Sequence, residues 1–99
     1  MQIVKFEDSP IKTKRYRITM DDGKHYDFGL KGGSTYIDHG DAVKRTNYLK
    51  RHLASEKERY LIKHYIPSPA LFSAQILWGW STDINENIKY LNNFFIKYK

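Results

Sequence analysis

Residues 36–52 hold a dense set of side chains able to move protons, bind metal or meet phosphate. They are His39, His52, Asp38, Asp41 and Tyr48, with the cations Lys44, Arg45, Lys50 and Arg51. Histidine and carboxylate side chains carry protons and ligate metals near neutral pH. One chemistry this suggests is a small metal-dependent nuclease in which His39, Asp41 and His52 activate water against a phosphodiester. Their spacing matches no strong metalloenzyme motif, and His-x-Asp alone is a weak pattern. On a helix starting near Asp38 or Asp41, the residues Asp41, Arg45, Tyr48 and His52 share one stripe, and Asp41 and Arg45 are placed to pair at i, i+4. With His39 just before the helix, the favoured expectation is a structural polar network that locks the helix onto a hairpin. Catalysis is the minority alternative, and no metal or cofactor is expected.

The remaining cations form two groups. Lys12, Lys14, Arg15 and Arg17 lie on or before the first hairpin strand, and Lys44, Lys50 and Arg51 lie on the outer side of the helix. Placed side by side, Lys14, Arg15, Arg17, Lys44, Lys50 and Arg51 make a positive face suited to phosphate backbones. A net charge of +6 and a pI near 9.5 favour polyanionic partners, either nucleic acid or an acidic protein. The chain is also rich in Lys, Ile, Asn and Tyr, which AT-rich codons encode, so codon bias is a second source of basicity.

These residues need a frame. A length of 99 residues gives one domain, β-rich over 1–37 and helical over 38–98. Ile3, Val4 and Phe6 suggest a short strand ending before Ser9-Pro10. Lys14–Met20 and Lys24–Leu30 alternate apolar and polar residues, the period of half-buried strands. Asp21-Asp22-Gly23 joins them. A two-residue loop would set Met20 opposite His25 and Ile18 opposite Asp27, mixing the faces. A three-residue loop with left-handed Gly23 pairs Ile18 with Tyr26, Tyr16 with Phe28 and Arg17 with Asp27, and is preferred. Gly29–Ser34 is a turn without the Gly-Lys-Ser/Thr ending of a phosphate loop. Thr35–Ile37 is expected as a further strand.

Ala42, Leu49 and Leu53, with Val43 and Thr46, are the expected buried stripe of the helix that follows, which continues or restarts through Glu56–Leu61. Ser68 and Pro69 open a central helix, apolar nearly all round to Trp78 and stopped by Gly79. Asp83 caps a last helix, with Glu86 at capping-box spacing and Ile84, Ile88, Leu91 and Phe95 on one face. The expected fold class is α+β, an N-terminal antiparallel β-hairpin or small sheet packed by about three helices. Trp78 is expected to be buried and Trp80 to be a surface contact; His25 and His64 are expected in solvent. The sequence has no cysteine, which excludes disulfides and thiolate chemistry. Met1–Lys5 has no apolar run behind its charge, and no segment is apolar over a membrane's width, so an intracellular protein is expected.

Three groups of residues carry a resemblance. They are Lys14–Arg17 with Asp22-Gly23-Lys24 and Asp27-Phe28-Gly29; Tyr36–His39 with Asp41, Arg45, Tyr48 and Arg51-His52; and Pro67-Ser68-Pro69 with Leu77-Trp78-Gly79. Over residues 14–90 this order resembles small basic proteins of the nucleocytoplasmic large DNA viruses of algae and protists. The resemblance implies a viral origin, with the protein in the host cytoplasm or nucleus, or in the virion. It carries no mechanism and no catalytic residue. Taken together, the expectation is a non-enzymatic nucleic-acid-binding protein acting in genome packaging or expression. The alternatives are a virion structural or protein-interaction module, and the nuclease.

Overall fold

Alternation along the first third of the chain builds the sheet. The computed structural model describes every residue from Met1 to Lys99. Strands β1 (Ile3–Asp8), β2 (Lys14–Met20) and β3 (His25–Leu30) pair antiparallel in the order β1-β2-β3. The β2–β3 register pairs Tyr16 with Phe28, Arg17 with Asp27 and Ile18 with Tyr26. Gly23 turns the hairpin at φ 85°, where a side chain would be strained. Ile18, Met20 and Phe28 thus share the covered face, while Arg17 and Asp27 bond across the open one.

Five helical segments follow, so the fold is α+β. The third strand of the sheet is β1. Thr35–Ile37 is not a strand, because Thr35 starts a single helical turn, α1 (Tyr36–His39). The Asp38 carboxylate accepts the Thr35 backbone N–H at 2.8 Å and its hydroxyl at 2.9 Å, which winds the chain there. Gly40, at φ 64°, ends the turn. Asp41 then accepts the Val43 and Lys44 N–H groups and opens α2 (Ala42–Ala54). The helical part therefore begins at Tyr36 rather than residue 38.

The inner face of α2 differs from the expected stripe. Ala42, Val43 and Thr46 are exposed, whereas Arg45, Tyr48, Leu49, His52 and Leu53 are half-buried. The helix closes the rim of the domain through polar and aromatic contacts, so aliphatic periodicity is a poor guide to its orientation. After extended Ser55 the chain restarts as α3 (Glu56–Lys63).

Ser68 accepts the Leu71 N–H, and with Pro69 it starts α4 (Pro69–Phe72). The helix widens at once into a π-helical turn over Ser73–Leu77, where the Trp78 N–H reaches the Ser73 carbonyl at 3.0 Å. Asp83 caps α5 (Ile84–Tyr98) through the Asn85 and Glu86 N–H groups. Ile18, Phe28, Leu71, Phe72, Ile76, Leu77, Leu91 and Phe95 form the fully buried centre between sheet and helices. Each such side chain contributes about 1.5–3 kcal/mol by leaving water. No helix is long and apolar enough to cross a membrane.

One buried polar residue ties this centre to the loop that leaves it. Asn87 of α5 is 1% exposed. Its amide nitrogen donates to the carbonyls of Ile76 at 2.9 Å and Ser81 at 2.7 Å, and its oxygen accepts the Ser81 N–H at 3.1 Å. Gly79 lies against it, and a Cβ there would collide with the Gln75 carbonyl and the Asn87 amide. The segment Trp78-Gly79-Trp80 is therefore held from beneath.

Candidate functional site

Helix α2 meets the Trp78 segment edge-on. Arg45 Nε donates to the Trp78 carbonyl at 3.1 Å and the Gly79 carbonyl at 2.8 Å. A cation here satisfies carbonyls left free at a helix end. Asp41 does not pair with Arg45, because its carboxylate is committed to the Val43 and Lys44 N–H groups. Those bonds, led by the one from Lys44, hold the Asp41 carboxyl below its ordinary pKa.

Four rings then form a column. Trp78 stacks on Tyr48 with centroids 4.3 Å apart and planes 6° apart. Tyr48 lies 4.2 Å from His52, and His39 sets its ring at 60° to Trp78, 5.4 Å away. His52 Nδ1 meets Glu58 Oε2 of α3 at 2.6 Å. At the other end, His39 Nδ1 accepts the Asp41 N–H at 2.9 Å, so a neutral ring carries its proton on Nε2. That nitrogen is buried and has no hydrogen-bond partner. Burial raises the Tyr48 pKa, opposed by a hydrogen bond with Ser73.

The five residues His39, Asp41, Arg45, Tyr48 and His52 thus bind together α1, α2, α3 and the Trp78 segment. They do so as a ring column and a carbonyl clamp rather than as one hydrogen-bonded network. His39 and His52 stand at opposite ends of the column with Trp78 and Tyr48 between them, and the Asp41 carboxylate caps a helix. No group of three His, Asp or Glu side chains gathers to hold a metal. This separation removes the geometry that a nuclease built on His39, Asp41 and His52 requires. Trp78 is half-buried, not buried, because its ring sits at the rim of the domain; Trp80 is 57% exposed.

The cations sort by partner. Arg15 forks onto Asp38 with two contacts of 2.7 Å, and Arg17 forks onto Asp27 at 3.0 and 3.1 Å. The Arg15 guanidinium holds the Asp38 carboxyl well below the usual carboxylate range, and Arg17 lowers Asp27 in the same way. These two arginines are committed to structure. Lys44 and Arg51 have no carboxylate partner and line a cleft of about 250 Å³ with Ser34, His39, Asn47, Tyr48 and Trp78. On the other side of Tyr48, Lys14 and Lys57 line a second hollow with His52 and Glu58. Lys50 is exposed on α2 and lines neither.

Of the six expected phosphate contacts, Lys14, Lys44 and Arg51 therefore surround Tyr48. Arg15 and Arg17 are neutralised, and Lys50 stands apart. Asn47, Ser34 and Lys57 lie outside the expected set. The signal for Asn47 was present, since Lys44, Asn47, Tyr48 and Arg51 follow i, i+3, i+4, i+7 on one helix face. The cleft is smaller than the cavities that enclose cofactors, and five of its seven lining residues are polar, which suits a group the size of phosphate. Tyr48 is covered by Trp78 and His52, so its own ring offers no platform for a base.

Among known proteins, residues 4–52 match the model of a family of unknown function (DUF5754). The match runs from β1 to His52 near the end of α2, and leaves Trp78, Lys57 and Glu58 outside it. No curated protein and no solved structure matches the chain.

Proposed function

We propose that the chain is a non-enzymatic module that binds nucleic-acid phosphates through the paired hollows around Tyr48. The observation that supports this most is the placement of Lys14, Lys44, Arg51 and Lys57 about one rigid column, with none of the four in an ion pair. Free cations on a fixed frame release counterions when a phosphate backbone docks, and no ordering of loops opposes binding. Arg15 acts at a distance, by fastening α1 to β2, and Arg17 ties β2 to β3 on the open face of the sheet. A role in genome packaging or expression of a large DNA virus rests on the sequence resemblance alone.

The test is a titration of labelled DNA and RNA at low and moderate salt. The expected result is micromolar or tighter binding at low salt that weakens steeply as salt rises. Absence of affinity for any polyanion at low salt overturns the proposal. Retention of an acidic protein with no nucleic-acid affinity reassigns the same cations to a protein partner.

A further inference from the structure

The Trp78-Gly79-Trp80 segment sends its two indoles to different surfaces. Trp78 lines the basic cleft, whereas Trp80 lies edge-on to Tyr90 of α5, with centroids 6.3 Å apart. Residues two apart have Cα atoms within about 7 Å of each other, so the two surfaces adjoin at this segment. From Trp80 the second surface runs along α5. Tyr90 and Tyr98 are 53% and 62% exposed. They lie on one side of the helix about 12 Å apart at the α-helical rise. Two shallow hollows follow this strip, and both are lined by Tyr90 and Asn93. Lys89 borders one and Lys97 the other, while Glu86 is the one carboxylate.

Exposed rings on a helix face commonly mark a protein partner, but the lining here points elsewhere. No aliphatic side chain lines either hollow. An apolar peptide would meet an amide and two lysines where it needs a dry contact. A ligand that alternates flat faces with negative charge meets what it needs: rings for the faces, lysines for the charge and an amide for a polar edge.

We propose that this strip binds single-stranded nucleic acid. Bases stack on Trp80, Tyr90 and Tyr98, and phosphates meet Lys89 and Lys97. The strand then crosses Trp78-Gly79-Trp80 to the Lys44–Arg51 cleft. The proposal rests on the nucleic-acid reading above and adds the strand state of the ligand and the second half of its path. A duplex keeps its bases stacked inside and gains nothing from the rings.

The test uses an oligothymidylate and the same strand annealed to its complement, in low salt. Fluorescence is followed in a Trp78→Phe variant, where Trp80 is the one indole left. Anisotropy is followed in the otherwise unaltered protein and in Trp80→Ala, Tyr90→Ala and a Lys44→Ala/Arg51→Ala double variant. Single strand should quench Trp80 and bind more tightly than duplex. Trp80→Ala and Tyr90→Ala should each weaken single-strand binding roughly 5- to 150-fold, the span of one base–ring stack, and leave duplex binding unchanged. If single-strand binding is unaltered in both ring variants but falls in the double variant, the strip is wrong and the phosphate cleft stands. If neither form of the nucleic acid binds, both proposals fall. The two ring variants are exposed surface changes, so the anisotropy arm decides the matter even where Trp78→Phe folds poorly.

Discussion

Replacing Asn87 with alanine should destabilise the domain more than any surface change described above. The side chain is fully buried and makes three hydrogen bonds, to the Ile76 carbonyl and to both backbone groups of Ser81. Each bond is worth about 1 kcal/mol net, so the loss is about 3 kcal/mol before any term for the vacated space. A domain of this size is stable by about 5–15 kcal/mol, so a large part of that margin goes. The melting temperature should fall by roughly 12–24 °C, at about 4–8 °C per kcal/mol. Asn87→Asp supplies a sharper control. Its carboxylate could still accept the Ser81 N–H but would face two carbonyl oxygens. Folding would raise its pKa, so the variant should be most stable when protonated and lose stability as pH rises through the carboxylate range. Urea denaturation of both variants at several pH values measures this. A loss below about 1 kcal/mol for Asn87→Ala, or stability of Asn87→Asp that does not change with pH, would refute the role given to this side chain.

Three other outcomes follow from the geometry. The double variant Lys44→Ala/Arg51→Ala should reduce the slope of log affinity against log salt by about 1.4 for single strands and 1.8 for duplex, and an unchanged slope would place the phosphates elsewhere. Asp38→Asn should cost about 1–2 kcal/mol at neutral pH, since it weakens the contacts to Arg15 and Thr35. Because folding lowers the Asp38 pKa, its contribution is complete above the ordinary value of about 3.9 and is lost as pH falls below it. The variant should therefore flatten the acid limb of a melting-temperature profile, and an identical limb would sink the assignment. Gly79→Ala should prevent the Trp78 segment from seating on Asn87, seen as lost near-ultraviolet dichroism, whereas native dichroism would show that the loop has room to spare.

The sequence resolved what depends on near neighbours. The hairpin register followed from requiring two clean faces, and the Ser68 and Asp83 caps followed from side chains that reach N–H groups two or three residues on, whereas Asp41 was one of two candidate caps beside Asp38. Leu91 and Phe95 were legible from helical spacing as buried residues. The site was only half legible. Arg15 and Arg17 read as free cations until the folded chain brings Asp38 and Asp27 to them, although the register already set Arg17 beside Asp27. Arg45 finds carbonyls 33 and 34 residues away, which no local rule detects. The orientation of α2 is hidden from the sequence for a related reason. Its inner face is Arg, Tyr and His, and such residues turn inward only where a distant Trp and free carbonyls await them.

The π-helical turn at Ser73–Leu77 has a consequence for insertions and deletions. Such a turn holds one residue more than an α-helix closes with, so its length is an integer that side-chain identity does not set. Each residue in an α-helix rotates the chain by about 100°. Closing the same residues as α, with none removed, would swing Trp78 by about that angle, off Tyr48 and away from the Arg45 clamp. Gly79 would leave Asn87 at the same stroke, and Trp80 would leave Tyr90. Both faces of the molecule are therefore indexed to the number of residues in one turn. A relative one residue shorter here should close the turn as α and keep both faces in place, whereas a relative of equal length must keep the wider turn.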